Sequence, residues 1–573
     1  MNALDTRRGV IGRFAQRSQQ VLLPHLLRNT TLAFLIASIP LAWLTYRFDW
    51  TVDDAFISFR YAKHLAQGHG LRYNIGEEPP VEGYSNPLWV LSLAFFEKLG
   101  WGSVVPARLL SVACAAVLMW RLSRFIGTRM AVPTGPLFLS VLFFATLPPV
   151  AVWSTSGLAT MPYAMLVFLA YEYLLGDANA PRSIAGGATL ALLVLLRVDG
   201  MFWVAGMLLL AGLTAVRRRE GRQIRSILIA AGIAGSVLVG LTAFRMAYFG
   251  WALPNTAYAK LALSSLSLAR GTRYLLGLLL VFPHLVPIVC LGAVFAWRIR
   301  KTHPVGLQAA AIALATFGYA VVVGGDWMPM GRYLIPGLPF ITILYATAMR
   351  RARPVVLAAC GMAAITLSLL PAYNVHIAPR ALRDKLDRHK AATVAPRLRE
   401  KMIARDAIKA SVNSEYGFWL FARDHVRTLA ELGRALKEHT RAGESIVTDM
   451  IGAIGYYSDL FMYDTTGLVN AEVGHRKVPP RGLLPGHDKL VLPTFFLKYR
   501  PTYMGCAILH LDPGHNLEPG QRHRFEWDRP FKLRKGRRIR LQYRPVGYVL
   551  PELDDIGRTK LLLLFMRRDL VYE

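Results

Sequence analysis

Two adjacent carboxylates, Asp53 and Asp54, stand at the head of the segment running from Thr51 to Gly68. A carboxylate held beside a hydroxyl can take its proton as the oxygen attacks an electrophilic carbon, provided that it lies within hydrogen-bond reach. The same pair can also be structural. Thr51 and Asp54 have the separation of a capping interaction, and both acids favour a helix N-terminus through its dipole. The two readings are compatible. In the residues that follow, Phe56, Phe59 and Leu65 with Ala55, Ala62 and Ala66 form one face, and Arg60, Lys63, His64 and Gln67 the other. Gly68 and Gly70 stop the pattern, which predicts an amphipathic helix lying on a membrane surface.

Four cations could serve an anionic leaving group: Arg197, Lys260, Arg273 and Arg332. Arg197 with Asp199 could equally be an ion pair tying two span ends together. Asn255 and Thr256, after Pro254, could cap a short helix. Asp326 follows two glycines that allow a close backbone approach, although Gly-Gly-Asp is also an ordinary turn. Glu82 and Asp199 are alternative acids. No His, Cys and Asp cluster has metal-ligand spacing, so no required metal or other cofactor is expected. A divalent ion shared by Asp53 or Asp54 and a phosphate is the one cation site left open.

These residues have to be positioned by membrane-spanning elements. Of the 573 residues, 54% are hydrophobic and only 18% charged, and apolar runs of the length needed to cross about 30 Å of hydrocarbon recur along the chain. Eleven spans are drawn: 31–47, 103–120, 134–152, 158–176, 183–197, 200–216, 226–246, 274–297, 306–324, 333–349 and 355–372. The stretch Pro87 to Phe96 is too short to span and is placed as an interfacial helix. The net charge of +31 would point to nucleic acid in a soluble protein. Here much of the excess sits in short segments between apolar runs, and with Pro87 to Phe96 at the interface the arginine clusters all fall on one side, the cytoplasmic one. The loops at 48–102, 153–157, 198–199, 247–273 and 325–332 then lie outside, and they hold nearly all the unusual polar residues. The Arg-rich first thirty residues predict a retained anchor with a cytoplasmic tail.

The chain divides at residue 372. Residues 373–573 carry a helical stretch from Phe418 to Thr440, a strand from Ser445, glycines at 452, 455 and 467, and short apolar strands at Leu490 to Leu492, Tyr503 to Leu509 and Lys560 to Phe565. This predicts a soluble extracytoplasmic α/β domain. Cys114, Cys290 and Cys360 lie in apolar runs and Cys506 alone in the polar region, so no disulfide framework is available. A basic stretch from Arg522 to Arg540 reads as a solvated hairpin face, or as a contact for acidic lipid headgroups or an anionic glycan; its outer placement excludes nucleic acid.

The order of motifs carries a resemblance. An Asp-Asp pair just after the first span is followed by an amphipathic helix ending Gly68-His-Gly70 and by Val81-Glu82-Gly83-Tyr84-Ser85-Asn86-Pro87. Then come Trp153-Ser-Thr-Ser-Gly157-Leu158, Arg197-Val-Asp199-Gly200, Leu253-Pro254-Asn255-Thr256 through Lys260, and Gly324-Gly325-Asp326-Trp327 through Arg332. This resembles the polyprenyl-phosphate-sugar-dependent transferases of the GT-C superfamily, and most of all the mycobacterial terminal β-(1→2)-arabinofuranosyltransferases and related bacterial membrane proteins. Gly452-Ala-Ile-Gly455 and Asp464-Thr-Thr-Gly467-Leu468 are similar to the C-terminal domain of such proteins. In similar proteins an acid usually follows Ser-Gly-Leu, whereas Ala159 stands here.

The resemblance implies a plasma-membrane enzyme of a bacterium, with about eleven helices and an active site on the outer face. It would invert configuration as it moves a pentose or hexose, arabinofuranose among them, from a polyprenyl phosphate to an envelope glycan, lipid or protein acceptor. Asp53 or Asp54 is then the base. Arg60, Glu82, Tyr84, Arg197, Asp199, Asn255, Lys260, Arg273, Asp326 and Arg332 are the residues expected to contact donor or substrate. A transporter or flippase of a lipid-linked sugar, and an inactive assembly partner kept open by Ala159, are the alternatives.

Overall fold

The computed structural model describes residues 25, 27–175, 180–260, 264–301, 303–379, 414–478, 488–511, 522–524, 537–554 and 558–570. The basic N-terminal tail, most of the Arg522 to Arg540 stretch and the segment 380–413 lie outside them. The first helix, α1, runs from Leu27 to Arg47. It is followed by α2 (Asp53–Ala66), α3 (Pro87–Lys98), α4 (Val104–Arg124), α5 (Thr134–Ala145), α6 (Pro148–Thr155), α7 (Thr160–Leu174) and α8 (Ala180–Leu196). Next come α9 (Gly200–Arg218), α10 (Gly221–Phe249), α11 (Asn255–Lys260), α12 (Ser265–Val281), α13 (Leu285–Arg298), α14 (Val305–Val322), α15 (Leu338–Met349) and α16 (Pro354–Leu369).

All eleven predicted spans are helical, but they are less regular than continuous apolar runs suggest. Among the described residues, six helices are long and apolar enough to cross a membrane, or up to eight if each bent pair counts as one span. The segment 134–152 is two helices, α5 and α6, bent by 48°; the segment 274–297 is α12 and α13, meeting at 94°. Proline is the local cause. Pro148 and Pro149 open α6, Pro283 lies in the α12–α13 break, and Pro336 sits in a 3-10 turn (Arg332–Gly337) that precedes the short α15. Each removes a backbone donor and clashes with the preceding turn.

Helix α3, of 12 residues, is too short to span, as expected for an interfacial element. It leaves Leu91 and Phe95 exposed, an apolar face suited to hydrocarbon. Helix α4 starts beside it and extends 21 residues to Arg124, so the arginines at its far end lie about 30 Å from α2 and α3 at 1.5 Å per residue.

The C-terminal unit begins with α17 (Glu415–His439), capped by the Ser414 hydroxyl, which accepts the Gly417 N–H. Trp419, Ala422, Val426, Leu429 and Leu436 recur at helical spacing and are buried. Helix α17 packs against α18 (Ala453–Ser458), and a short α19 (Ala471–Gly474) follows. One six-stranded sheet completes the unit, from β1 (Ser445–Thr448), β2 (Phe461–Asp464), β3 (Tyr503–Leu511), β4 (Arg522–Arg524), β5 (Tyr543–Leu553) and β6 (Thr559–Arg567), with α20 (Arg537–Gln542) leading into β5. Its order is β2-β1-β3-β6-β5-β4. The pairs of β1 with β2 and β3 are parallel, and the other pairs are antiparallel. Leu490 to Leu492, expected as a strand, is not one: the Val491 N–H bonds the Thr465 carbonyl, and Pro493 then starts a 3-10 turn. The protein is thus a polytopic α-helical membrane protein with a C-terminal α/β domain.

That domain changes the setting of α2. The helix was expected to keep Arg60 and His64 on an open polar face, yet both are 1% exposed. Helix α2 is covered by α3 on one side and α18 on another, so its polar face is an interface between domains.

Candidate active site

Helix α2 begins at Asp53 with Val52 as its N-cap, and no side chain caps it. Thr51 does not make the expected contact with Asp54. Its hydroxyl instead accepts from Arg108, at 2.9 Å to Nε and 2.7 Å to Nη2. The two aspartates sit in the first turn, where the dipole favours them, and they face different partners.

Asp53 caps a helix, but not its own. Its carboxylate accepts the backbone N–H groups of Gly452 (3.2 Å) and Ala453 (2.8 Å), at the start of α18. A side chain at position 452 would place its Cβ 2.0 Å from the Asp53 carbonyl oxygen, so the approach demands glycine. The far end of α18 is gripped as well. Arg60 donates to the carbonyls of Tyr73 (2.8 Å), Gly455 (2.6 Å) and Leu460 (2.6 Å), and Lys63 pairs with Asp459 at 2.6 Å. An acid at the N-terminus and bases at the C-terminus match the helix dipole.

Burial pushes the Asp53 carboxyl up to about 6, against the two amides that lower it, and neighbouring Asp54 raises it further. The folded state therefore holds this proton more tightly than the unfolded chain, whose carboxyl titrates near 3.8. The associated stability is complete below the unfolded value and is lost as pH rises towards 6. Thermal unfolding in detergent, compared between wild type and Asp53→Asn, should show the wild type losing ground as pH rises from 4 to 6, and a constant difference above that.

Asp54 points into a cavity of about 210 Å³, also lined by Lys260, Arg197, Arg332 and Arg270. The Lys260 ammonium lies 3.8 Å from the Asp54 carboxylate, too far for a hydrogen bond. The three guanidinium groups are held more firmly. Arg197 pairs with Asp199 (2.8 and 3.2 Å), which also accepts the Tyr319 hydroxyl at 2.6 Å. Arg332 pairs with Asp326 at 2.8 Å, and Arg270 binds Asp488 through two contacts of 3.0 and 2.9 Å. The arrangement sets the Asp54 carboxylate in one cavity with several positive groups, of which Arg197 is paired with the other lining acid, Asp199. Such a site can accept a proton on one side and stabilise negative charge on the other.

Of the sequence-selected residues, Asp54, Tyr84, Arg197, Asp199, Lys260 and Arg332 come together on this cavity, with Asp326 behind Arg332. The others do not. Arg273 is exposed, and Arg270, three residues earlier and one turn away on α12, occupies the place expected of it. Arg60 is spent on carbonyls at the domain interface. Asn255 donates to the carbonyls of Gly467 and Leu468, both at 2.8 Å. That loop is itself shaped by buried Asp464, which accepts from the Thr466 and Val469 amides, so the Leu253 to Lys260 and Asp464 to Leu468 motifs meet as a docking pair. Glu82 binds Arg245 through three contacts of 2.9 to 3.1 Å, with both side chains 3% exposed.

Arg245 and Arg270 were not singled out from the sequence. An arginine inside the apolar run 226–246 is a signal in itself, since charge near a membrane is costly without a partner. Ala159 lines the cavity, so an acid there would have faced the same space as Asp54. Among the described residues no three His, Cys, Asp or Glu side chains gather as metal ligands.

Three comparisons bear on this architecture. Residues 417–556 match a family model described as Domain of unknown function (DUF8728). A terminal β-(1→2)-arabinofuranosyltransferase of Corynebacterium glutamicum is 27% identical over 360 residues, covering 55% of this chain and 50% of the relative. The chain thus spans about half the length of the curated relative it matches. The crystal structure of ArnT from Cupriavidus metallidurans bound to undecaprenyl phosphate superposes with a TM-score of 0.52 at 13% identity, over 93% of this chain and 97% of that one. The likeness to the ArnT structure is therefore one of fold.

Proposed function

We propose that this chain is an inverting glycosyltransferase that takes a sugar from a polyprenyl phosphate donor and adds it to a cell-envelope acceptor on the extracytoplasmic face. The observation that carries the reading is the cavity in which Asp54 alone of the aspartate pair faces Lys260, Arg197, Arg270 and Arg332. The undecaprenyl phosphate in the ArnT structure supports this donor class, and the named activity of the arabinofuranosyltransferase relative supports sugar transfer and makes arabinofuranose the sugar to try first.

In this reaction an acceptor hydroxyl oxygen attacks the anomeric carbon, and the bond from that carbon to the phosphate oxygen breaks. Asp54 takes the hydroxyl proton. The polyprenyl phosphate leaves with the bonding electrons, and its growing charge falls to the cations. Lys260 is the group free to turn towards it, because its contact with Asp54 is long, whereas the three arginines are fixed by their own acids and give a preorganised positive wall. Positive charge is thus supplied by side chains, and we expect transfer to need no divalent ion.

A transfer assay with purified protein and a polyprenyl-phosphate sugar tests both points. Lys260→Met should raise the donor KM by about 10- to 100-fold, the worth of a charge-assisted hydrogen bond. Wild-type transfer should persist in excess EDTA. An unchanged donor KM in the variant, or loss of activity with EDTA that a divalent metal restores, would contradict these roles.

A further inference from the structure

A second cavity, of about 340 Å³, lies between the transmembrane unit and the C-terminal domain. It shares a wall with the first. Glu82 lines the second cavity while Gly83 and Tyr84 line the first, and Asn255 lines the second while Thr256 and Ala257 line the first. The Glu82–Arg245 and Asn255–Gly467 contacts hold that wall closed.

The two cavities differ in their lining. The first is ringed by cations. The second, in a chain of net charge +31, has no lysine or arginine among its lining residues. Its carboxylates are Glu77, Glu78, Glu472 and Glu82, of which Glu78 pairs with Arg72, Glu472 with Lys498 and Glu82 with Arg245 from outside the lining. Its rings come from both domains. Trp251, 46% exposed, projects from the loop before α11, and Tyr463 and Tyr499, with the latter 44% exposed, stack at 5.4 Å and 15° on the C-terminal side. Exposed aromatic rings from both domains, in one cavity with carboxylates that can accept from hydroxyls, suit a ligand that presents C–H faces and hydroxyl donors.

We infer that this groove binds the neutral saccharide part of the acceptor, as a subsite separate from the anion-binding cavity. Calling the ligand an acceptor rests on the proposed transfer reaction; saccharide binding itself does not. The chemistry divides the substrates, with the charged lipid phosphate in the cationic cavity and the uncharged glycan on the rings behind its wall.

Trp251 and Tyr499 are exposed enough to replace without emptying a core. The test uses the full chain in detergent, with calorimetric titration of neutral arabinan, galactan and mannan oligosaccharides and with oligogalacturonate as the anionic control. At least one neutral saccharide should bind wild type, and more tightly than the anionic control. Trp251→Ala and Tyr499→Ala should each weaken that binding about ten-fold, raise the acceptor KM by a similar factor, and leave the donor KM in place. Asp54→Asn should bind the saccharide as wild type does. No binding of any neutral saccharide, tighter binding of oligogalacturonate, or unchanged affinity and acceptor KM in both ring variants would overturn the inference. If Asp54→Asn transfers normally while binding still depends on Trp251, the transfer assignment falls and the saccharide site stands.

Discussion

Replacing Asp54 by Asn is expected to lower sugar transfer about a thousand-fold, within the 10²- to 10⁴-fold range for losing a positioned general base, with thermal stability close to wild type. The asparagine fills the same space on the cavity wall, and among the described residues the Asp54 carboxylate makes only the long contact to Lys260, so little native structure is removed. Asp53→Asn should behave differently. Its side-chain oxygen can still accept the Ala453 N–H, so α18 stays docked and transfer should fall by no more than about ten-fold. The separation of the two variants is the informative quantity, because adjacent residues of similar chemistry are then distinguished only by what they face. Equal losses in both would return the pair to the undivided role suggested by the sequence.

The largest effect on stability is expected at Glu82. Its carboxylate and the Arg245 guanidinium are each 3% exposed and meet through three contacts. Glu82→Leu leaves a buried cation without its acid, which costs about 3–5 kcal/mol. The double replacement Glu82→Leu with Arg245→Leu removes both charges and should recover most of that loss, since apolar side chains can substitute for a buried pair at little net cost. Thermal unfolding in detergent of the two single variants and the double variant would measure the coupling. A double variant as unstable as the sum of the singles would show that the pair is not the closed unit described here.

Much of this was legible in the sequence for reasons that can be named. Apolar runs long enough to cross a bilayer force helices, because backbone polar groups must be satisfied internally in hydrocarbon. All eleven runs are indeed helical. Their bends were under-read, although Pro148, Pro149 and Pro283 mark the two sharpest breaks. The aspartate pair was legible as a chemical candidate but not as a divided one. Successive helical residues point about 100° apart, and the amides that claim Asp53 come from residues 452 and 453, some four hundred positions away.

The same distance explains Arg60. Helical periodicity correctly put it on the polar face of α2, but periodicity has no means of showing that a later domain covers that face. The misplacement at Arg273 is one of helix phase: the cavity-facing cation is one turn earlier, and a cation count in a loop does not resolve a turn. In the sequence Gly452 and Gly455 stand only as two glycines of a short motif. Their real constraint is contact, since a Cβ at 455 would sit 2.1 Å from the Tyr73 hydroxyl and one at 452 would strike Asp53.

The most direct measurement is a balance of products. Purified protein is supplied with a labelled polyprenyl-phosphate sugar and an envelope acceptor, and free polyprenyl phosphate and glycosylated acceptor are counted together. Wild type should form the two in equal amounts, with the anomeric configuration inverted, and Asp54→Asn should form each about a thousand-fold more slowly. Undiminished product from Asp54→Asn, or movement of intact donor across a vesicle membrane with neither product formed by wild type, would contradict the proposed reaction.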